Sequence, residues 1–285
     1  MTEMIARLQQ IADRFDHVLL DQYGVLHHGK GVFVEARDCV ASLHDRGKTI
    51  LVLSNSGKRS ADNLHRIAKA GLEPALYDGV LSSGEVAWQG LRDRKSVPFT
   101  QVGRRCFLVT RGPDRGVVDG LDLELVDLEA ADFILLAGLD DGDTDIGAWR
   151  ERLAAAAARN VPMLCANPDL TMFTDSGLLP APGALAQFYE GLGGAVSYIG
   201  KPHRVIFEAA LQALGHPKPE RVLMIGDSLD HDILGGRNAG ILTLLVTSGV
   251  HREALVGSTD ITGSLLRLAG SAARMPHWAI DRLVW

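Results

Sequence analysis

Cysteine is scarce in this sequence, which has only Cys39, Cys106 and Cys165 in 285 residues. The three lie far apart, and none stands in a C-x-x-C pair or near histidines at zinc-binding spacing. Neither a disulfide framework nor a zinc site is therefore indicated, and we expect three buried thiols. Free thiols are typical of a reducing compartment, so the expected location is the cytoplasm.

Long apolar runs and an excess of positive charge are also missing. Charged side chains interrupt residues 1–20, which argues against a signal peptide, and no later apolar run approaches the roughly 20 residues that span a bilayer. The formal net charge is -6, whereas broad nucleic-acid binding needs a basic surface that displaces counterions from phosphates. We therefore expect neither a membrane nor a nucleic acid as partner. A small polar metabolite fits better.

Short apolar runs of strand length alternate with segments of helical spacing. The runs lie at 17–21, 49–53, 106–110, 132–138, 162–166, 196–200, 222–226 and 242–246. Their nearly continuous apolar content is typical of strands that are buried on both faces. Alternation of such strands with helices predicts an α/β fold with a mostly parallel sheet, which binds ligands beyond the carboxyl ends of its strands.

The middle third of the chain has a different composition. Residues 112–130 are rich in glycine and aspartate, and residues 138–145 form an acidic, turn-like segment before an alanine-rich helix. We predict a smaller α/β domain inserted at 84–184. The main domain would then consist of 1–83 and 185–285.

Two of the predicted strands end in residues that can carry chemistry. Asp21 follows the first strand and precedes Gly24, so its carboxylate is placed to act as a nucleophile, as a metal ligand or only as a turn residue. Ser54-Asn55-Ser56 follows the second strand. Hydroxyl and N–H groups before a helix can bind an anion, although such residues also serve as helix caps.

Two later strands end in charged segments. Gly200-Lys201-Pro202 places a lysine before a helix, but Pro202 stands where a phosphate-binding P-loop needs Ser or Thr, and a lone lysine there is usually a surface charge. The second segment contains Asp227, Asp230 and Asp232. Their charges would repel one another unless a cation or hydrogen bonds offset them, and oxygen ligands of this kind suit Mg²⁺. Helix capping explains one of the three aspartates, but hardly all.

The order of these segments closely resembles the haloacid-dehalogenase superfamily. The motifs that carry the resemblance are Gly24-Val25-Leu26, Ser54-Asn55-Ser56, Asn167-Pro168-Asp169, Gly200-Lys201-Pro202 and Gly226-Asp227 with Asp232-Ile233. They are similar to the class IIA branch, which contains nitrophenyl-, nucleotide- and sugar-phosphate phosphatases. The resemblance covers roughly 17–250. It implies a Rossmann-like, doubly wound core with an inserted α/β cap domain, and a homodimer that forms through the cap.

The resemblance also implies the chemistry of a Mg²⁺-dependent phosphatase. Asp21 would attack phosphorus and form an aspartyl-phosphate, while Lys201 would bind the phosphoryl oxygens. Asp21, the backbone carbonyl of Tyr23, and Asp227 would ligate Mg²⁺, with Asp232 close by or acting through water. Phosphoryl transfer depends mainly on positioning and charge neutralisation, which such a set of groups supplies.

Substrate contacts are implied for the remaining motif residues. Ser54 would bind the transferring phosphoryl group, with Asn55 and Ser56 beside it. Asn167 and Asp169 lie in a cap loop that would cover the site and help to select the leaving group. The substrate would be a small phosphorylated metabolite.

Tyr23 departs from the phosphatase pattern. Phosphatases of this superfamily have a second aspartate at this position, which protonates the leaving oxygen and then activates water. A tyrosine, with an ordinary pKa of ~10, can donate a proton in a catalytic role but is a poor base near pH 7. His27 and His28 are candidate replacements for the missing base.

Two alternatives to a phosphatase follow from Tyr23. Asp-x-Tyr-Gly resembles the first motif of the superfamily's 2-haloacid dehalogenases, in which a halide leaves without protonation. A weakly catalytic protein that binds a phosphorylated metabolite is the other alternative. The predicted α/β cap favours a phosphatase, since those dehalogenases have a helical cap.

Overall fold

The computed structural model describes residues 2–29, 31–174, 177–255 and 260–285. The strands are β1 (Glu3–Met4), β2 (His17–Leu20), β3 (Thr49–Ser54), β4 (Gly79–Ser82), β5 (Arg105–Val109), β6 (Glu124–Leu125), β7 (Phe133–Leu136), β8 (Met163–Cys165), β9 (Thr171–Thr174), β10 (Gly177–Pro180), β11 (Val196–Tyr198), β12 (Val222–Gly226), β13 (Leu242–Val246) and β14 (Trp278–Ile280). The α-helices are α1 (Val34–Asp45), α2 (Ser60–Ala70), α3 (Ser83–Asp93), α4 (Arg150–Ala158), α5 (Pro182–Gly191), α6 (Arg204–Ala213), α7 (Leu234–Asn238), α8 (Arg252–Leu255) and α9 (Ile261–Ala269).

The chain forms two compact units, of which the first contains residues 1–54, 61–81 and 201–285. Its seven-stranded sheet has the order β1-β14-β13-β12-β2-β3-β4. From β1 to β3 all neighbouring strands are parallel. The strands β2, β12 and β3 are therefore central, and their carboxyl ends lie at the same edge of the sheet.

Apolar side chains cover both faces of this sheet. Leu244 and Val246 belong to one buried cluster, whereas Leu245 between them belongs to another cluster, together with Leu265 of α9. Successive side chains of a strand point to opposite faces, so the two clusters lie on opposite sides of the sheet. This double burial explains why the strands read as continuous apolar runs in the sequence.

The second unit contains residues 55–60 and 82–200. Its five-stranded sheet has the order β11-β8-β7-β5-β6, with all neighbours parallel, and β9 pairs with β10 in an antiparallel hairpin. Helices α4 and α5 pack on the sheet through residues such as Leu153 and Leu185. Tyr189 is fully buried, and its hydroxyl donates a hydrogen bond of 2.5 Å to the carbonyl of Val161.

The structure corrects the predicted boundary of the insertion at residue 184. Helix α5 packs in the core of the second unit, and β11 pairs with β8, so this unit continues to Gly200. The apolar run at 196–200 therefore belongs to the smaller sheet and not to the main one. Strands of both sheets are buried on both faces, so their sequence patterns do not distinguish one sheet from the other.

Two expectations from composition can be compared with the structure. Cys39, Cys106 and Cys165 are free and buried, as expected, and burial raises the pKa of each thiol to about 12. Within the described ranges, no helix has both the length and the apolar composition needed to cross a membrane.

Candidate active site

Three of the predicted site residues lie at the carboxyl ends of adjacent strands in the first unit. Strands β2 and β3 are paired so that Leu20 lies beside Val52, which places Asp21 and Ser54 at the same edge of the sheet. The N–H of Asp21 donates a hydrogen bond of 2.9 Å to the carbonyl of Ile225 in β12. Asp227 directly follows that strand, so the parallel sheet brings together residues that are far apart in sequence.

Lys201 connects two of the carboxylates. Its side chain is almost fully buried, with Nζ 2.5 Å from Oδ1 of Asp21 and 2.7 Å from Oδ1 of Asp232. Burial by itself would lower the pKa of Lys201, but the two adjacent carboxylates raise it above its ordinary value. A buried ammonium is tolerated only when it is paired and hydrogen-bonded, and both aspartates meet that need. The lysine is thus not the surface charge that its sequence context alone suggests.

The carboxylates of Asp21, Asp227 and Asp232 form a cluster in which one oxygen from each lies within 4.8 Å of the others. The N–H of Val250 donates a hydrogen bond of 2.9 Å to Oδ2 of Asp227, and the N–H of Ser228 donates one of 3.1 Å to Oδ2 of Asp232. These bonds orient two of the carboxylates. Three carboxylates with one ammonium leave an excess of negative charge on oxygen atoms that can converge on a cation.

Burial and mutual repulsion raise the pKa of two carboxyl groups in this cluster. For Asp21, burial and the charge of Asp232 outweigh the opposing effect of Lys201, and the pKa is raised to about 7. For Asp227, burial and the charges of Asp21 and Asp232 raise the pKa to about 8. Such groups release protons more readily when a cation is nearby. The hard oxygen donors and the unbalanced charge therefore suit a hard cation such as Mg²⁺.

Glycines leave the space into which the carboxylates fit. Gly24 has a φ of 81° and begins a turn in which its N–H donates a hydrogen bond of 2.9 Å to the carbonyl of His27. A Cβ atom at Gly24 or at Gly249 would overlap with the carboxylate of Asp227. A Cβ atom at Gly226 would overlap in the same way with Asp232. Glycine is therefore needed at these three positions, because any side chain there would collide with a carboxylate of the site.

Tyr23 and the two histidines after it lie in the turn beyond Asp21. The side chain of Tyr23 is 46% exposed, and its ring meets the ring of His27 edge-on at a centroid distance of 5.8 Å. His27 is buried, its Nδ1 accepts a hydrogen bond from the N–H of Gly29, and burial with the nearby charge of Arg66 lowers its pKa to about 4. His27 is therefore a weak base at neutral pH. The ring of His28 packs against Phe33.

The other predicted substrate-binding residues belong to the second unit. There, Nδ2 of Asn55 donates a hydrogen bond of 2.7 Å to Oδ1 of Asp169, whose N–H in turn donates one of 3.1 Å to Oδ1 of Asn167. Oγ of Ser56 accepts a hydrogen bond from the N–H of Lys58. Asn55, Asn167 and Asp169 are therefore brought together, whereas Ser56 stabilises its own turn.

Sequence reasoning missed the segment after β13. The N–H of Val250 orients Asp227, Gly249 packs against the same carboxylate, and Nε2 of His251 accepts a hydrogen bond from the N–H of Leu229. The run 242–246 was identified as a strand, so the rule that ligands lie beyond strand ends would have indicated these residues. The group that orients Asp227, however, is the backbone N–H of Val250, which leaves no residue type to recognise in the sequence.

Comparison with known proteins gives two matches to family descriptions. Residues 18–124 match the haloacid dehalogenase-like hydrolases, and residues 198–266 match a second family described as HAD-hydrolase-like. The first match contains Asp21 and Ser54, and the second contains Lys201 and Asp227. The two parts of the chain that contribute residues to the site of the first unit therefore match the same group of hydrolases.

Full-length relatives point to the same group. The chain is 30% identical over 243 residues to the 5'-nucleotidase YutF of Bacillus subtilis, which covers 82% of this chain and 88% of that protein. It is 30% identical to human chronophin over 287 residues, which covers 98% and 94% of the two chains. A haloacid dehalogenase-like hydrolase from Brucella suis has a crystal structure that matches 99% of this chain and 100% of its own, with a TM-score of 0.82 and 30% identity.

This chain belongs to the haloacid dehalogenase-like hydrolases. It is a phosphatase of the class IIA type, as the order of its motifs predicted. The predicted α/β fold with parallel, doubly wound sheets is also confirmed. What needs a chemical explanation is Tyr23, which stands where the phosphatase pattern has a second aspartate.

The packing of Gly24 against Asp227 leads to a test with a matched control. We expect Gly24→Ala to destabilise this hydrolase more than Gly47→Ala, by at least about 1 kcal/mol, because the added Cβ overlaps with the carboxylate. Gly47 also has a positive φ, of 69°, but open space around it, so its substitution carries only the backbone cost of about 1–2 kcal/mol. Urea unfolding of both variants measures the difference, and equal destabilisation would contradict the packing account.

Proposed function

We propose that this hydrolase is a Mg²⁺-dependent phosphoric monoester hydrolase that acts on a small phosphorylated metabolite through an aspartyl-phosphate on Asp21. The observation that carries the proposal is the position of the Lys201 ammonium, in contact with both Asp21 and Asp232, beside a cluster of three carboxylates. A nucleophilic carboxylate, a fixed positive charge and a cation site are the groups that phosphoryl transfer needs. Relatives named as a 5'-nucleotidase and an acid sugar phosphatase support the substrate class.

Asp21, Asp227 and Asp232 are the residues that we assign to Mg²⁺, together with the backbone carbonyl of Tyr23. The bound ion would supply positive charge that neutralises the phosphoryl oxygens. The elevated pKa values of Asp21 and Asp227 support this assignment, since their proximity is costly without a cation.

In the first step Asp21 acts as the nucleophile and Lys201 stabilises charge. Lys201 binds Oδ1 of Asp21, so we assign Oδ2 as the oxygen that attacks phosphorus. The new bond joins Oδ2 to phosphorus, and the bond from phosphorus to the leaving oxygen breaks. The charge of Lys201 stabilises negative charge that develops on the phosphoryl oxygens. In the second step water attacks phosphorus, which releases inorganic phosphate and restores the carboxylate.

Tyr23 limits the leaving groups that this site can expel. An alkoxide needs a proton from a general acid as it leaves, and water needs a general base in the second step. A phenol in place of the aspartate is a weaker acid than a carboxylic acid and a weaker base for water than a carboxylate near neutral pH, and burial lowers the pKa of His27 to about 4. We therefore propose a preference for phosphates whose leaving groups depart without protonation, such as aryl and acyl phosphates.

The other two functions suggested by Tyr23 have less support. The second unit has a parallel five-stranded sheet, whereas the resemblance to 2-haloacid dehalogenases predicts a helical cap. A binding role without turnover would not require a lysine fixed on the nucleophile. Pairing of two copies through the second unit, which the resemblance implies, stays a prediction.

Hydrolysis of 4-nitrophenyl phosphate tests the proposed function. We expect phosphate release that requires Mg²⁺, is abolished by EDTA and falls by at least about 10³-fold in Asp21→Asn, because the amide is no nucleophile. Thermal unfolding of this variant serves as the control for its fold. Equal turnover by Asp21→Asn, or halide release from 2-chloropropionate in place of phosphate release, would contradict the proposal.

Replacement of Tyr23 tests whether the site lacks a general acid and base. We expect Tyr23→Asp to raise the rate of alkyl phosphate hydrolysis by about 10²-fold or more, since general acid–base catalysis is typically worth about 10²–10⁴ in rate. The rate with aryl phosphates should rise less. Tyr23→Asn is the matched control, because it has the same size as aspartate without a titrating group. The same alkyl phosphatase rate in both variants would refute this explanation of Tyr23.

A further inference from the structure

A second pocket lies entirely within the second unit and has a volume of about 590 Å³. Sites for small molecules typically measure about 300–1,000 Å³, so its size suits a metabolite. None of the residues that line this pocket is among those assigned above to the site of Asp21. A ligand of this pocket is therefore independent of the proposed function.

The topology of the smaller sheet explains where this pocket forms. From β5 the chain continues to β6 on one side, whereas from β7 it continues to β8 on the other side, so the connections leave the neighbouring strands β5 and β7 in opposite directions. In open α/β sheets such a switch point opens a crevice beyond the carboxyl ends of the strands. Three segments line the pocket, and they follow β5, β6 and β7 respectively.

The uncovered edge of the sheet widens this crevice. Residues 110–123, which connect β5 to β6, form turns in place of the helix that usually covers a parallel crossover. A short 3-10 turn at Leu128–Ala130 follows β6. The segments after β5 and β7 are joined by a hydrogen bond of 2.7 Å from the N–H of Gly112 to Oδ1 of Asp140. The pocket therefore has a fixed wall and an open side.

Arg152 is held at this pocket by aromatic rings. Its Cζ lies 5.2 Å from the ring centroids of both Phe107 and Trp149, within the range of cation–π contacts. Nε1 of Trp149 donates a hydrogen bond of 3.0 Å to the carbonyl of Asp143, which fixes the ring. Arg115 lines the same pocket. Among the described residues, no carboxylate forms an ion pair with either arginine, so both guanidinium groups remain available.

The chemistry of the lining indicates the ligand class. Two guanidinium groups match the oxygens of a phosphate or a carboxylate in bidentate fashion. Asp127 and Asp143 can accept hydrogen bonds from hydroxyl groups, and the exposed side chain of Leu125 offers contact to carbon atoms. We propose that this pocket binds a hydroxylated organic anion, with Arg115 and Arg152 on its acidic group. Sugar phosphates, nucleotides and sugar acids share this chemistry.

Isothermal titration of the full chain in EDTA tests the proposal, because turnover at the Asp21 site is then absent. Ribose 5-phosphate, AMP and gluconate are the probes, and they distinguish a phosphate from a carboxylate as the preferred group. We expect at least one of them to bind more tightly than about 1 mM. Arg152→Gln and Arg115→Gln should each weaken that binding about tenfold or more, since each removes a charge-assisted hydrogen bond.

Arg150→Gln is the matched control, because Arg150 is an exposed arginine on the same helix but outside the pocket. It should bind as the unmodified protein does. Arg115 contacts no aromatic ring in the part of the chain that the structure describes, so its variant keeps the test valid if loss of Arg152 disturbs folding. The proposal is overturned if no probe binds more tightly than about 1 mM, if all three arginine variants bind equally, or if binding is lost only in Asp21→Asn.

Discussion

The buried ammonium of Lys201 is the group on which the rest of the site depends. It lies within 2.7 Å of carboxylate oxygens of Asp21 and Asp232, which are 180 and 31 residues away in sequence. Without it, the buried carboxylates of Asp227 and Asp232 and the partly buried carboxylate of Asp21 would face one another without this positive charge, and burial of like charges is strongly unfavourable. The same contact orients the carboxylate of Asp21, which we propose as the nucleophile, and places a positive charge beside it.

The parallel sheet makes this contact possible. Asp21, Ser54 and Asp227 each follow or end a central strand, so their side chains meet at one edge although the chain between them is long. Glycines at 24, 226 and 249 then allow close packing of the carboxylates. Tyr23 is the exception in this arrangement, because it is half exposed in the turn where a phosphatase needs an acid and a base.

The sequence predicted those features that depend on local pattern. Each of the eight apolar runs overlaps a strand, and the segments at the ends of three of them supplied Asp21, Lys201, and Asp227 with Asp232. Two features do not show in the local residue pattern. Membership of β11 in the smaller sheet depends on long-range pairing, and the pattern of a buried strand is the same in both sheets. The support of Asp227 by Val250 comes from a backbone N–H, which every residue except proline has.

Mass spectrometry of the enzyme, acid-quenched during turnover of an aryl phosphate with Mg²⁺, tests the central claim most directly. Because Tyr23 stands where the phosphatase pattern has the aspartate that activates water, the attack of water on the intermediate should be slow, and a covalent phosphoryl group should accumulate on the peptide that contains Asp21. It should be absent in EDTA. Steady release of phosphate with no phosphoryl group on Asp21, or with the group on another residue, would contradict the assignment of Asp21 as nucleophile.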